Sequence, residues 1–456
     1  MKVAKQKSDF ATPFTVKNAI TKGDLFTKLS GIIMGLGNFK NGQFEKSLIY
    51  FAIEIGYIMF MIKNGFYYLK MLPTLGTRKA AEVWNEQKQV YEYVQGDNSV
   101  LLLLYGVVTI AVTLVFIYFL CDSLKSAYKV QYYKEKNWKI KSFKEDVEDL
   151  FDSNLHKLLM FLPFSGILIF TILPLLFMIA MAFTNYSDIG DHLILFDWVG
   201  LKNFKTVLGL GGKIGQTFWP VLGWTLIWAF FATFLNFFLG MILAIVINRK
   251  ETKGKAFWRF CFVISIAIPQ FVSLLVMRTL LQRDGAINTL LLNAGLIKTA
   301  LPFWTNATWA RVTVILVNCW VGIPYTMLQV TGILQNVPAE LYEAAKIDGA
   351  NPIQIYFKIT LPYIMFIMGP YLITQFTGNI NNFNVIYLLS GGAPVEVGKT
   401  AGKTDLLVTW LYKLTIDYKY YNLGAVIGIL TFIILSIVAL VTYRNTASYK
   451  DEEGFQ

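Results

Sequence analysis

The chain has 456 residues, 55% of them hydrophobic and 15% charged, with a formal net charge of +12. That balance excludes a soluble protein of two or three domains and fits an all-α polytopic membrane protein. With two histidines and three cysteines, a His-based triad or a metal site has almost nothing to build with.

The first 46 residues carry eight lysines and no early apolar core, which predicts a cytoplasmic N-terminus without a cleavable secretion signal. Within this tail, "GIIMGLGNFKNGQFEKS" suits a helix lying at the membrane interface. Crossing the hydrocarbon core as a helix takes about 20 apolar residues. Eight stretches are candidates: 47–62, 99–120, 158–183, 218–247, 257–277, 312–332, 363–389 and 421–443. The first is short and the seventh is broken by polar residues. With this alternation the inside loops hold 25 of the 41 Lys and Arg, as the positive-inside rule requires.

The expected organisation is a cytoplasmic tail over 1–46, a two-span unit and charged linker over 47–156, a six-span core over 157–445 and a cytoplasmic tail over 446–456. The lysine-rich 125–144 segment reads as juxtamembrane anchoring near anionic lipid rather than as a nucleic-acid surface. Cys121, Cys261 and Cys319 lie in or at the ends of spans and read as packing residues. "GLGGKIGQT", Gly209 to Thr217, fails as a phosphate-binding loop: Val207 takes the first glycine position and Ile214 replaces the hydroxyl residue that would reach magnesium. No nucleotide, metal or other cofactor site is therefore expected in this chain.

Between the sixth and seventh spans lies "ELYEAAKIDGANPIQIYFKITLP", Glu340 to Pro362. Pro338 suits the first turn of a helix, where its missing N–H is not needed, and Glu340 and Glu343 sit near that positive end. Gly349, beside Asp348, is placed to end the helix in a left-handed conformation, and Asn351–Pro352 is an N-cap followed by Pro at the first position of a second helix. The second helix is expected to run to Pro362. A loop that merely connects two spans does not require this punctuation. An interfacial helix packed on its own protein would also fit.

Glu343, Ala344, Ala345, Gly349, Ile359, Leu361 and Pro362 match, at every spacing, the EAA---G---------I-LP signature of permease subunits of bacterial ABC importers, and the segment resembles theirs. The resemblance implies a coupling helix, Asp348 included, that docks into a cleft of a separate ATPase subunit. ATP and magnesium would then be bound by that partner, and this chain would not itself be an enzyme.

The sixth span, "NCWVGIPY", places Asn318, Val321, Gly322 and Tyr325 on one helical face, and "QFTGNINN" in the seventh does the same with Gln375, Gly378, Asn379 and Asn382. Amides beside an aromatic ring suit a neutral polyhydroxylated ligand. The same amides and glycines also serve as helix–helix glue in membranes, but two matching faces interrupted by Gly favour a cavity lining. These stretches, with "NINNFNVIYLLSGGAP" and "TAGKTDLLVTWLYKLT", resemble the larger permease subunit of maltose and maltodextrin importers over about 150–445.

In that family the positions of Asn318, Val321, Gly322, Tyr325, Gly378, Asn379 and Asn382 contact the sugar inside the membrane. Two departures bear on substrate length: Gly378 stands where an aromatic residue is usual, and Gln375 where a small hydroxyl is. The 184–217 loop is also too short for the large extracellular domain of some relatives, which leaves smaller loops, 390–420 among them, to meet a binding protein. The resemblance implies a second, homologous permease, two ATPase copies, an extracellular solute-binding protein and an oligosaccharide, either a maltodextrin or another such as raffinose. An ion-coupled transporter is disfavoured because the six core spans contain no Asp, Glu or His, and Glu54 is the only acidic residue in any span. A membrane enzyme lacks a nucleophile with a base or metal cluster.

Overall fold

The computed structural model describes residues 14–86 and 88–444, so the tail expected over 446–456 lies outside the described residues. They form two compact units, one of residues 14–186 with 190–199 and one of residues 187–189 with 200–444.

In the first unit, three short helices, Val16–Lys22, Leu25–Leu29 and Leu36–Lys40, precede the span Phe44–Met71. Thr15 and Asp24 cap the first two by accepting the N–H groups of Asn18 and Thr27. They are fastened to the far half of the 37-residue helix Ser99–Glu135. Gln131 Oε1 accepts from the Asp24 N–H at 2.8 Å and from the Thr27 hydroxyl at 2.9 Å, and Ser123 Oγ accepts from the Gly35 N–H at 2.9 Å. Glu54 is buried because its Oε2 accepts the Met34 N–H at 2.7 Å. A polar side chain in a span is thereby matched to a backbone donor.

One small sheet departs from the all-helical pattern. Ala81–Asn85 pairs antiparallel with Val90–Val94, and the base of this hairpin is closed by Arg78, whose guanidinium meets Asp97 Oδ1 at 2.8 Å. The span Leu155–Met181 also belongs to this unit.

The second unit contains the spans Lys213–Asn248, Ala307–Gln335, Pro352–Ile380 and Tyr421–Arg444, and a helix pair, Lys255–Ala267 and Gln270–Leu280, bent by 88°. The bend falls at Ile268–Pro269, both with extended backbone; proline supplies no N–H to continue the helix and pushes its predecessor out of the helical region. Among the described residues there are thus seven long apolar helices, or eight if the bent pair is one span. The expected seventh span is divided: the helix ends at Ile380, and Asn382 caps a separate helix, Phe383–Leu389.

Spans four (Lys213–Asn248) and six (Ala307–Gln335) pack through glycines. A Cβ on Gly240 would lie 2.6 Å from the Thr326 Cβ, and one on Gly322 would lie 2.1 Å from Asn236 Nδ2. Small residues of this kind let membrane helices approach backbone to backbone. Around that seam Trp224, Trp228, Leu274 and Val314 form one buried cluster, and Phe237, Met241, Met327, Val330 and Ile364 another.

Candidate functional site

A cavity of about 50 Å³ opens between spans four, six and seven (Pro352–Ile380), walled by Thr233, Asn236, Gly322, Tyr325, Tyr371 and Gln375 among others. Three of the eight residues read from the sequence therefore come together here. Gly322 lines the cavity, but the reason a glycine stands there is the amide of Asn236 directly opposite. Tyr325 is half-exposed at 49%, and Gln375 is half-buried.

Asn379 and Asn382 are engaged with the protein. Trp228 donates its indole N–H to the Asn379 carbonyl at 3.0 Å, and Asn379 Nδ2 donates to Thr233 Oγ1 at 3.0 Å. Asn382 Nδ2 reaches Asn379 Oδ1 at 3.4 Å, and its own Oδ1 caps Val385. Asn318 is buried one turn before Gly322, Val321 is half-buried, and Gly378 is exposed with open space where a Cβ would stand.

Thr233, Asn236 and Tyr371 are absent from the residues named by the sequence reading. Asn236 had a legible signal, a lone amide within the apolar "FLNFFLG". Thr233 and Tyr371 had none, because a hydroxyl at the edge of an apolar run is ordinary. No ionised side chain lines the cavity, so its chemistry is that of hydrogen bonding and ring contact. Among the described residues no group of three His, Cys, Asp or Glu could hold a metal ion.

The segment after span six folds as a punctuated turn. The helix runs Ala339–Ile347 with Pro338 at its N-cap, one position earlier than expected. Gly349 is left-handed, φ 75°. The Ala350 N–H bonds to the Ala345 carbonyl and the Gly349 N–H to that of Lys346, a Schellman ending that satisfies otherwise unpaired carbonyls. Asn351 and Gln354 form a reciprocal capping box, with bonds of 2.8 and 2.9 Å.

The second helix does not stop at Pro362. It continues through a π turn, Tyr356–Thr360, into the span that ends at Ile380, since proline in the first positions after that wide turn costs no needed N–H. Glu343, Ala344, Asp348, Gly349 and Pro362 are exposed, and Ala345, Ile359 and Leu361 half-buried. Ile347 is 86% exposed, Ile353 69% and Phe357 59%.

At the other end of span six the 390–406 loop is held rigidly. Asp405, buried, accepts from the Gly402 N–H at 2.7 Å, the Thr409 hydroxyl at 3.0 Å and Lys413 Nζ at 2.7 Å. Arg311 donates to the Lys403 carbonyl at 2.9 Å and lies 4.7 Å over the Trp224 ring.

Residues 236–447 match the model of the family described as binding-protein-dependent transport system inner membrane component. The chain is 36% identical to the galactooligosaccharides transport system permease protein GanP of Bacillus subtilis (strain 168), over 93% of this chain and 98% of that one. It is 33% identical to the maltodextrin transport system permease protein MdxF of the same organism, over 96% and 99%. Its fold is similar to a chain in the crystal structure of a bacterial ABC transporter involved in the import of the acidic polysaccharide alginate, with a TM-score of 0.53 at 21% identity, covering 66% of this chain and 97% of that one.

Proposed function

This chain belongs to the family of binding-protein-dependent transport system inner membrane components, and from that premise we propose that it forms one side of the path by which an ATP-driven importer moves a neutral oligosaccharide across the membrane. The chain is a multi-pass membrane transport component, the permease of a sugar ABC importer. The observation that carries the substrate class is the cavity beside Asn236, Tyr325, Tyr371 and Gln375, where amides and phenol rings meet without any ionised group. Such a lining hydrogen-bonds hydroxyls without asking for charge.

Maltodextrins remain our substrate assignment, and the galacto-oligosaccharide reading stands beside it because of the relatives' names. The exposed Gly378 leaves room beside the path where a ring would otherwise stand. Asn318, Val321, Gly322, Tyr325, Gln375, Gly378, Asn379 and Asn382 form the sugar-facing set in this proposal, with Asn379 and Asn382 also bracing it.

The 338–362 segment serves as the coupling element. Its exposed Ile347, Ile353 and Phe357 supply an apolar surface for a cleft on an ATPase subunit, where ATP and magnesium would be bound. The capping box starts a helix that runs unbroken to Ile380, so a displacement of the segment is delivered to Tyr371 and Gln375 about 30 Å away along the axis. A homologous second permease, two ATPase copies and an extracellular solute-binding protein complete the proposed assembly, with both termini and the coupling element in the cytoplasm and the braced 390–406 loop outside.

The test is ATP-dependent uptake in vesicles that hold the four components, comparing labelled maltotriose with galactotriose. Uptake of maltotriose supports the maltodextrin assignment, uptake of galactotriose alone moves the substrate, and uptake without ATP overturns the coupling role.

A further inference from the structure

Span four contributes a polar group whose chemistry is unfinished. Asn236 is 93% buried, being 7% exposed, and its Nδ2 donates to the Ala232 carbonyl at 2.7 Å. Its Oδ1 has no hydrogen-bond partner among the described residues. Buried amide oxygens are nearly always paired, and inside a membrane no bulk water is at hand to pair them.

Two features of the surrounding structure are arranged around this amide. A π turn, Phe231–Leu235, immediately precedes it, and such turns re-aim the side chains that follow and recur at functional sites. Opposite, Gly322 leaves the space that any Cβ would take, since a Cβ there would stand 2.1 Å from Asn236 Nδ2. The facing helix therefore makes room for the amide. Asn236 itself lines a cavity whose other walls include Tyr371 and Gln375 from span seven and Tyr325 from span six.

The cavity's volume, about 50 Å³, is too small for a sugar ring but several times the roughly 10–15 Å³ that one water needs on this measure. A single hydroxyl or hydroxymethyl group entering from the path fits it. An acceptor oxygen with no partner selects an O–H donor.

We propose that Asn236 Oδ1 accepts a hydrogen bond from one hydroxyl of the transported sugar, in a subsite that Gly322 opens and Tyr371 and Gln375 enclose. The proposal rests on the sugar-importer reading and adds a specificity determinant from a span that the sequence motifs leave out. A site built to pair a particular hydroxyl rejects the analogue that lacks it, because the acceptor is then left unpaired.

The experiment is uptake by vesicles holding the complete importer at saturating loaded binding protein. It uses whichever of maltotriose and galactotriose the wild type carries, and the series of its mono-deoxy analogues. The wild type is expected to move one analogue at least about fivefold more slowly than the parent, and Asn236→Ala to move that pair at equal rates. Asn236→Leu, similar in volume and easier to insert into the membrane, is expected to lose the same discrimination and serves if the alanine variant does not assemble. Ratios unchanged in either assembled variant, or a wild type that moves every analogue like its parent, would show that the oxygen meets water alone and overturn the proposal. Wild-type vesicles that take up neither trisaccharide overturn the sugar reading itself.

Discussion

Trp228 and Asn379, 151 positions apart, are joined by an indole N–H donated to a backbone carbonyl at 3.0 Å, and the same asparagine's amide reaches Thr233 one turn further along span four. This contact ties the seventh span to the fourth at the level of the candidate site. It makes Asn379 a brace between the two spans, and separates it from Tyr325, whose ring is half-exposed.

Asn379→Ala is expected to lower both uptake and thermal stability, the latter by about 1–2 kcal/mol for a lost buried hydrogen bond. Tyr325→Ala is expected to lower uptake while leaving the melting temperature of the purified complex unchanged. Parallel melting curves and uptake assays check this pair. Normal uptake in both variants would remove them from the path.

Gly349→Val places a β-branched side chain at φ 75°, where L-residues are strained by roughly 1–2 kcal/mol. The Schellman ending should loosen and the coupling element lose its fixed angle. The expected outcome is ATP hydrolysis that persists while uptake falls at least tenfold. ATPase and uptake measured on the same vesicles decide it, and full uptake would remove the coupling role.

Lys413→Met leaves Asp405 buried without its cation, since Lys413 Nζ lies 2.7 Å from a carboxylate whose side chain is 0% exposed. Breaking a buried pair from one side costs about 3–5 kcal/mol, so the 390–406 loop should become protease-sensitive. Limited proteolysis of the purified complex reads this directly, and a cleavage pattern like the wild type's would contradict the bracing role.

The hairpin at 81–94 should weaken in acid. The Arg78 guanidinium, with the N–H groups of Arg78 and Thr77, holds the Asp97 carboxyl below its usual range despite burial. A depressed folded-state pKa contributes stability that is present above the unfolded value of about 3.9 and disappears as pH falls through the folded value. Amide exchange across the Ala81–Val94 pairs should therefore accelerate, relative to the intrinsic rate, below about pH 4, and Asp97→Asn should abolish that dependence. An unaltered acid response in the variant would assign it to another group.

The helical architecture was legible because apolar length is a strong signal in membranes: all eight stretches read from the sequence correspond to apolar helices or, in one case, to the bent pair. The turn at Gly349 and the cap at Asn351 were legible because each needs a particular residue type for a stated reason. The 88° bend at Pro269 was not, since proline within a span more often kinks a helix than breaks it, and Pro163, Pro220, Pro324 and Pro370 all lie inside helices here. Most of the cavity's lining escaped as well. Asn236 and Tyr371 reach the cavity only through the pitch of their helices and the notch at Gly322, which are properties of packing rather than of any one segment.

The glycine seam between the fourth and sixth spans has a mechanical meaning. Thr326 and Asn236 occupy the space that a Cβ would need at Gly240 and Gly322, and helices interlocked in this way cannot slide past one another without collision, because packed interiors resist continuous deformation. The two helices therefore move as one beam, with Asn236 and Tyr325 fixed to the same side of it. Any widening or narrowing of the cavity falls to the opposing helix that carries Tyr371 and Gln375, the helix that starts at the Asn351 capping box.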